Sequence, residues 1–360
     1  MTESVATVEG KGLAEGAAMV ASIVRSKPVI PIAGNVRLSC GGGKLSLLTA
    51  SLGLWASAEL PLVDDCEPWS TTVAAQAFRK FANDAPKGAQ VELSLDGVQL
   101  VMRAGSAELR LATLPPEDFP VEPEPSGLEL RDVDGAAFAR ALKGCAVAMA
   151  REEARYYLVG VHFGPKGLTA TDAHRLHHFD LPGFEGSSIL GAPAAKLVAD
   201  MLSDGGRFGI TSDAWQAETA GRRLTGSCIE GTFPDWERII PIKDADPVAV
   251  FYRDAALEAL ARVDFHEGAD SRVEISGDGD GSLLFGMQRS DGGAAACSCD
   301  AVRADEFKCV FNPRYLKETW AVMPTTIAMF QQDAGSPALF EPAEGSTFLG
   351  CRGVVMPQRA

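Results

Sequence analysis

The segment DAHRLHHFD gathers Asp172, His174, His177, His178 and Asp180 into nine positions. Imidazoles and carboxylates are the donors a divalent metal takes, and a metal held by three of them with one position open would activate water. A metal-dependent hydrolase using Asp172, His174 and His178 is therefore the enzymatic reading of this chain. Three features oppose it. Strand alternation sends neighbouring side chains to opposite faces, which splits the group. No cysteine stands beside it, and the HExxH spacing is missing. Histidines that hydrogen-bond within the fold or face water are the simpler reading, so no metal site is expected.

Three other clusters yield to plainer explanations. Cys297-Ser298-Cys299, with Cys309 and Cys351, has CxC rather than CxxC spacing, and packed thiols are expected there. GGGK at Gly41–Lys44 lacks the GxxxxGK[ST] spacing that wraps phosphates and reads as a hairpin turn. DGDGS at Asp278–Ser282 lacks the distal glutamate of a calcium loop and also reads as a turn. No cofactor and no catalytic residue is expected.

The elements that carry these residues recur along the chain. Of its 360 residues, 46% are apolar and 22% charged, an ordinary globular balance in a chain long enough for several domains. Helical patterns span Leu13 to Arg25, Asp134 to Met149 and Arg253 to Val263, starting about one third of the chain apart. Each is followed by a second, at Thr72 to Asn83, Ala192 to Ser203 and Asn312 to Val322. Alternating stretches lie around them, with Asp96-Gly97 marking a tight hairpin. Proline-punctuated runs at 115–127 and 239–248 suit stiff linkers. The expectation is an α+β chain of three similar domains, 1–124, 125–245 and 246–360, each of two helices packed on antiparallel sheets.

A net charge of -15 argues against simple nucleic-acid binding, because phosphate neutralisation supplies most nonspecific affinity for DNA. The start, MTESVATVEGKG, has neither the basic nor the apolar region of a signal peptide, and no run is long enough to span a bilayer. A cytoplasmic location with no membrane contact is expected. The eight cysteines are scattered among apolar and small neighbours, so reduced thiols and no disulfide are expected.

Two stretches carry a family resemblance: LTATDAHRL, Leu168 to Leu176, and VVMPQRA, Val354 to Ala360. KPVIPIAGNVRL (27–38), ATLPPEDFP (112–120), ARYYLVGVHF (154–163), FPDWERIIP (233–241) and FNPRYLKE (311–318) extend it in order. The chain resembles the bacterial sliding clamps, the beta subunits of DNA polymerase III. The resemblance implies a DNA clamp fold in which two copies join head to tail as a ring around duplex DNA. Such a ring is a processivity factor: it tethers the replicative polymerase, is opened by a clamp-loader ATPase and has no chemistry of its own. It also resolves the charge problem, since encirclement needs little net attraction.

Site residues follow from the resemblance. A groove for short linear peptides of polymerase and loader would be formed by Leu158, Thr171, His174, Arg175, Leu176, Pro234, Arg238, Ile239, Gly335, Pro337, Met356, Pro357, Gln358 and Arg359. Leu158, Leu176, Pro234, Ile239 and Met356 would form an apolar floor, with Arg175 and Arg359 donating at the rim. DNA contacts would come from Lys27, Arg151, Arg155, Tyr156 and Tyr157, with helix residues Arg79, Lys80, Arg140, Lys143, Lys196, Arg262, Arg314 and Lys317 as further pore candidates. Leu109, Leu111 and Val263 would lie at the dimer interface. Four positions depart from the family pattern: Gln358 and Ala360 replace apolar bulk, Ala173 stands for a turn glycine, and Glu152 sits beside the expected phosphates. A shallower or wetter groove follows, and with it the reading of a divergent, accessory copy.

Overall fold

The structure, a computed structural model, describes residues 4–25, 27–86, 88–243, 246–264, 271–288, 292–343 and 350–358. Among the described residues, six α-helices form three pairs that follow the sequence periodicity. They are α1 (Gly10–Ser22) with α2 (Ala75–Asp84), α3 (Gly135–Ala146) with α4 (Ala192–Met201), and α5 (Arg253–Val263) with α6 (Pro313–Ala321). Asp134 and Asn312 cap α3 and α6 by accepting from Ala137 N and Arg314 N, which satisfies first-turn donors. The predicted helix at Thr72 starts later, because Thr72–Ala74 belong to a strand whose alternation prevails locally. None of the helices among the described residues is long and apolar enough to cross a membrane.

The chain forms two compact units. The first comprises Met1–Val133, Asp204–Ile210 and Ala214–Ser227. Its larger sheet has eight antiparallel strands in the order Trp69–Ala74, Asn35–Gly41, Lys44–Ser51, Leu54–Pro61, Arg222–Ser227, Ala214–Thr219, Gly206–Ile210, Arg131–Val133. A four-stranded sheet, Val5–Glu9, Gln90–Asp96, Gln99–Ala104 and Ala107–Ala112, completes this unit. Helix α1 packs on one face of the larger sheet, where Gly16 sits so close that an added Cβ would touch Ala58 Cβ and Leu47 Cδ1 at 3.4 Å.

The second unit comprises Asp134–Ser203, Thr211–Asp213 and Cys228–Ala360. One twelve-stranded sheet runs through it, from Ser188–Gly191 through Gly160–Gly164, Gly167–Thr171, Arg175–Asp180, Cys351–Val355, Ala338–Pro342, Thr326–Phe330 and Ala249–Tyr252. It continues into the long strand Ala294–Ala304 and ends with Ser282–Gln288, Val273–Gly277 and Phe307–Phe311. Helix α3 lies against the strand Arg175–Asp180, and Gly144 is required there, because any Cβ would fall 2.2 Å from the Phe179 ring.

The turn readings hold. Gly42 and Gly43 (φ 61° and 74°) close the hairpin between Gly41 and Lys44, and Gly97 (φ 59°) closes the one after Asp96. Asp278 Oδ1 accepts from Asp280 N and Ser282 N, both at 2.9 Å, which closes its turn.

Two expectations fail. Cys40 and Cys66 form a disulfide. The segment after Pro61 crosses the end of the Gly41–Lys44 hairpin, where Gly43 lies near Asp65 and Gly41 near Pro68, before Trp69–Ala74 pairs with Asn35–Gly41, and this brings together two sulfurs that sequence spacing alone did not link. The other six cysteines are thiols; burial pushes Cys145 up, and Cys228 and Cys351 to about 12. Val263 is fully buried on α5. It is sealed by its own unit's core and offers no surface to a second copy.

Candidate functional site

The strand Arg175–Asp180 places alternate side chains on opposite faces, and the five predicted metal donors separate as alternation requires. His177, on the α3 face, is fully buried; its Nδ1–H donates to Gly144 O at 2.7 Å and its Nε2 accepts from the Thr319 hydroxyl at 2.9 Å. Burial, reinforced by Arg175, pushes its pKa to about 4 against the opposing Gly144 bond. His178, on the other face, accepts from Thr169 Oγ1 at 2.9 Å and donates to Asp180 Oδ1 at 3.0 Å. His174 lies exposed in the preceding turn, 6.1 Å from the Tyr315 ring in a stacked arrangement. Asp172 is spent on that turn, accepting from His174 N, Arg175 N and Arg175 Nε. The three residues of the hydrolase reading do not converge, and both ring nitrogens of His178 are committed. Among the described residues no group of three His, Cys, Asp or Glu side chains is placed to hold a metal.

Arg175 corrects a second expectation. It is 3% exposed rather than a rim donor, and its guanidinium reaches Asp172, Glu318 and Val147 O while lying 4.8 Å over Tyr315. Two carboxylates and a carbonyl satisfy a buried cation that would otherwise be strongly disfavoured. Ala173 holds the turn open at φ 74°, a left-handed conformation that an L side chain adopts at a cost.

The remaining groove candidates fall into several places. Leu158 and Leu176 are buried in a cluster with Ile189, Phe233, Trp236, Leu339 and Val354. Thr171 is also buried, donating to Arg175 O at 2.7 Å. Arg238, Ile239 and Pro337 line a cleft of about 870 Å³ shared with Ile242 and Phe330. Pro234 borders a separate cavity of about 220 Å³, and Gly335 sits in an exposed turn closed by Asp333. Met356 and Ile239 each keep 38% of their surface exposed. Half-buried Pro357 follows Met356, whose N–H donates to His174 O. Gln358 N donates to Val310 O at 2.8 Å, and its buried Oε1 has no partner among the described residues. Arg359 and Ala360 lie outside the described residues.

The predicted DNA contacts come together more closely. Arg151, Arg155 and Arg314 line one cavity of about 350 Å³ with Glu152, His174 and Tyr315. Arg151 and Arg155 are exposed on the segment leading into Gly160–Gly164, and neither has an ion pair among the described residues. Tyr156 is 56% exposed and meets half-buried Tyr157 edge-on at 5.7 Å. Lys27 is exposed in the first unit. Of the pore candidates, Lys80, Lys143, Arg262 and Lys317 pair with Asp84, Asp200, Glu258 and Asp264.

Sequence reasoning missed Phe233 and Trp236. They cover the face opposite α3, Phe233 stacked on His162 at 4.7 Å and Trp236 on His178 at 4.2 Å. Burial and neighbouring His178 hold His162 at about 4. Two aromatics just ahead of the proline-punctuated run at 239–248 were the available signal.

Comparison with known proteins gives one answer throughout. Residues 6–123 match the family described as DNA polymerase III beta subunit, N-terminal domain. The Beta sliding clamp of Escherichia coli (strain K12) is 30% identical over 268 residues, covering 71% of this chain and 73% of that protein. That of Caulobacter vibrioides (strain NA1000 / CB15N) is 28% identical over 98% of this chain and 99% of its own length. Among solved structures, a sliding clamp of Pseudomonas aeruginosa bound to griselimycin superposes with a TM-score of 0.92 at 24% identity, covering 99% and 100% of the two chains. The clamp of Caulobacter crescentus gives 0.87 at 26%, with the same coverage.

Proposed function

The chain belongs to the beta sliding clamps, the beta subunits of DNA polymerase III, which are non-catalytic processivity factors in DNA replication, and we propose how its own residues serve that role. Two copies close head to tail around duplex DNA, each contributing three domains, 1–124, 125–245 and 246–360. The recurring helix pairs support this division. The strand Ala107–Ala112 is an edge of its sheet with Leu109 and Leu111 half-buried, and the stretch 294–300 of the long strand is paired only on its Ser282–Gln288 side among the described residues. Unpaired edges of this kind add strands from another chain, so the interface is read there, without Val263. The ring works in the cytoplasm, where replicating DNA is found.

The observation that carries the DNA contact is the group of guanidiniums at Arg151 and Arg155, which have no ion pair among the described residues, beside exposed Tyr156 and with Lys27 on the first unit. Such groups grip phosphate oxygens in pairs of hydrogen bonds, while tyrosine stacks on exposed bases. Polymerase and loader peptides dock on the surface around Met356 and Ile239, with Arg238 beside them; Leu158 and Leu176 support that surface from beneath. Arg175 fixes the turn that positions His174 rather than touching the peptide.

The test is retention on DNA. Loaded on circular DNA, the protein is expected to persist through a salt wash that strips it from linear fragments, because few phosphates are neutralised and topology holds the rest. Equal release from both would refute encirclement. Met356→Ala is expected to weaken binding of a polymerase-derived peptide by about tenfold while leaving the dimer intact, in line with loss of one apolar anchor. Unchanged affinity by calorimetry would remove Met356 from the groove.

A further inference from the structure

Hydrogen-bond register identifies matching rungs in the two sheets. In the second unit the rung is His162–Thr169–His178–Arg352; in the first it is Arg37–Leu48–Ser57–Arg223. Both lie on the face turned away from a helix, since Phe179 meets Gly144 of α3 and Ala58 meets Gly16 of α1. The second rung is roofed by Phe233 and Trp236 from the segment FPDWE. The first is approached by the similar segment FPVEP, in which Phe119 is buried and Glu122 stands where the tryptophan would be. The result is a cavity of about 340 Å³ over Arg37, Ser57 and Arg223.

The cavity holds two uncompensated charges. Arg223 is paired with Glu218, and Glu59 with Lys44. The Arg37 side chain has neither a hydrogen bond nor an ion pair among the described residues, and its Nε is buried without a partner there. Among the described residues the Glu122 carboxylate receives only the Thr225 hydroxyl, at 3.0 Å. The terminal nitrogens of Arg37 also have no acceptor among the described residues, and they form the edge of the guanidinium that a ligand oxygen pair in the cavity can reach.

We propose that this cavity binds a free α-amino acid, its carboxylate on Arg37, its ammonium on Glu122, and a small polar side chain among the hydroxyls of Ser39, Ser46 and Ser57. A planar carboxylate pairs with the two terminal nitrogens of arginine, whereas a dianionic phosphate would meet the carboxylates of Glu122, Glu218 and Glu59. The volume, at the small end of ligand pockets, accepts a molecule of serine to glutamine size. The site is independent of DNA and peptide binding.

Calorimetric titration of the full chain with L-serine, L-threonine and L-glutamine tests it, with L-lactate and inorganic phosphate as controls. At least one amino acid is expected to bind one-to-one at millimolar affinity or better, and lactate about tenfold more weakly because it lacks the ammonium. Arg37→Gln and Glu122→Gln should each weaken that binding by about tenfold or more. If Arg37→Gln fails to fold, Glu122→Gln alone decides. Absence of binding by all three amino acids up to about 10 mM, phosphate binding more tightly than any of them, or a folded variant binding as the parent does would each overturn the proposal.

Discussion

The two matching rungs meet different ends: His162 and His178 are stacked under aromatic rings, while Arg37 and Ser57 open onto a polar cavity. The strands beneath them are alike, so the difference lies in the linker that crosses each sheet. Trp236 is 7% exposed and buries both itself and an imidazole, whereas Glu122 stays near water and makes one hydrogen bond. A sheet face becomes core or binding surface according to what lies over it, and a single position in the linker decides which.

Substitutions that exchange those outcomes test this contrast. The largest expected effect is from Trp236→Ala, which should cost the second unit about 3–5 kcal/mol, the range for removing a large buried ring; urea unfolding followed by hydrogen exchange in the strand Arg175–Asp180 measures it. A loss below about 1 kcal/mol would mean the roof does not hold the face.

Acid comes next. His177 and His162 titrate near 4 in the folded chain against 6.5 otherwise. Their pKa values are lowered, so the unfolded chain takes up protons first. Stability is full above pH 6.5 and falls as pH drops towards 4, by roughly 3 kcal/mol for His177. Urea midpoints across that window should decline in the second unit and stay flatter in the first, whose rung carries no histidine. His162→Phe should reduce the slope.

Gly144→Ala is expected to cost about 1–3 kcal/mol through collision with Phe179, read by thermal unfolding. Glu122→Ala should change stability by about 1 kcal/mol or less, since it removes one partly exposed hydrogen bond. A larger loss would mean the cavity is structural rather than a place for ligand. Ala173→Gly should stabilise by up to about 1 kcal/mol by relieving the left-handed turn.

Much of the fold was legible because it repeats. Helical periodicity located α1 through α6, and Gly42-Gly43, Gly97 and Asp278 announced their turns through backbone chemistry that acts within four residues. At the candidate site, Arg151 and Arg155 came from the family resemblance rather than from local pattern, and the structure leaves both exposed. The burial of Arg175 was not legible. Its partner Glu318 lies 143 residues away, and nothing in a strand pattern distinguishes a cation facing water from one tied inside.

What the sequence determined by itself was its family, its periodic elements and its turns, since these follow from short-range sterics and from ordered motifs. The tertiary structure alone decided that Cys40 meets Cys66, that Val263 is core, that His178 lies under Trp236 and that the Arg37 side chain has no partner among the described residues. Alternation along a strand fixes which face a side chain takes; only packing from distant chain fixes whether that face meets protein, water or a ligand.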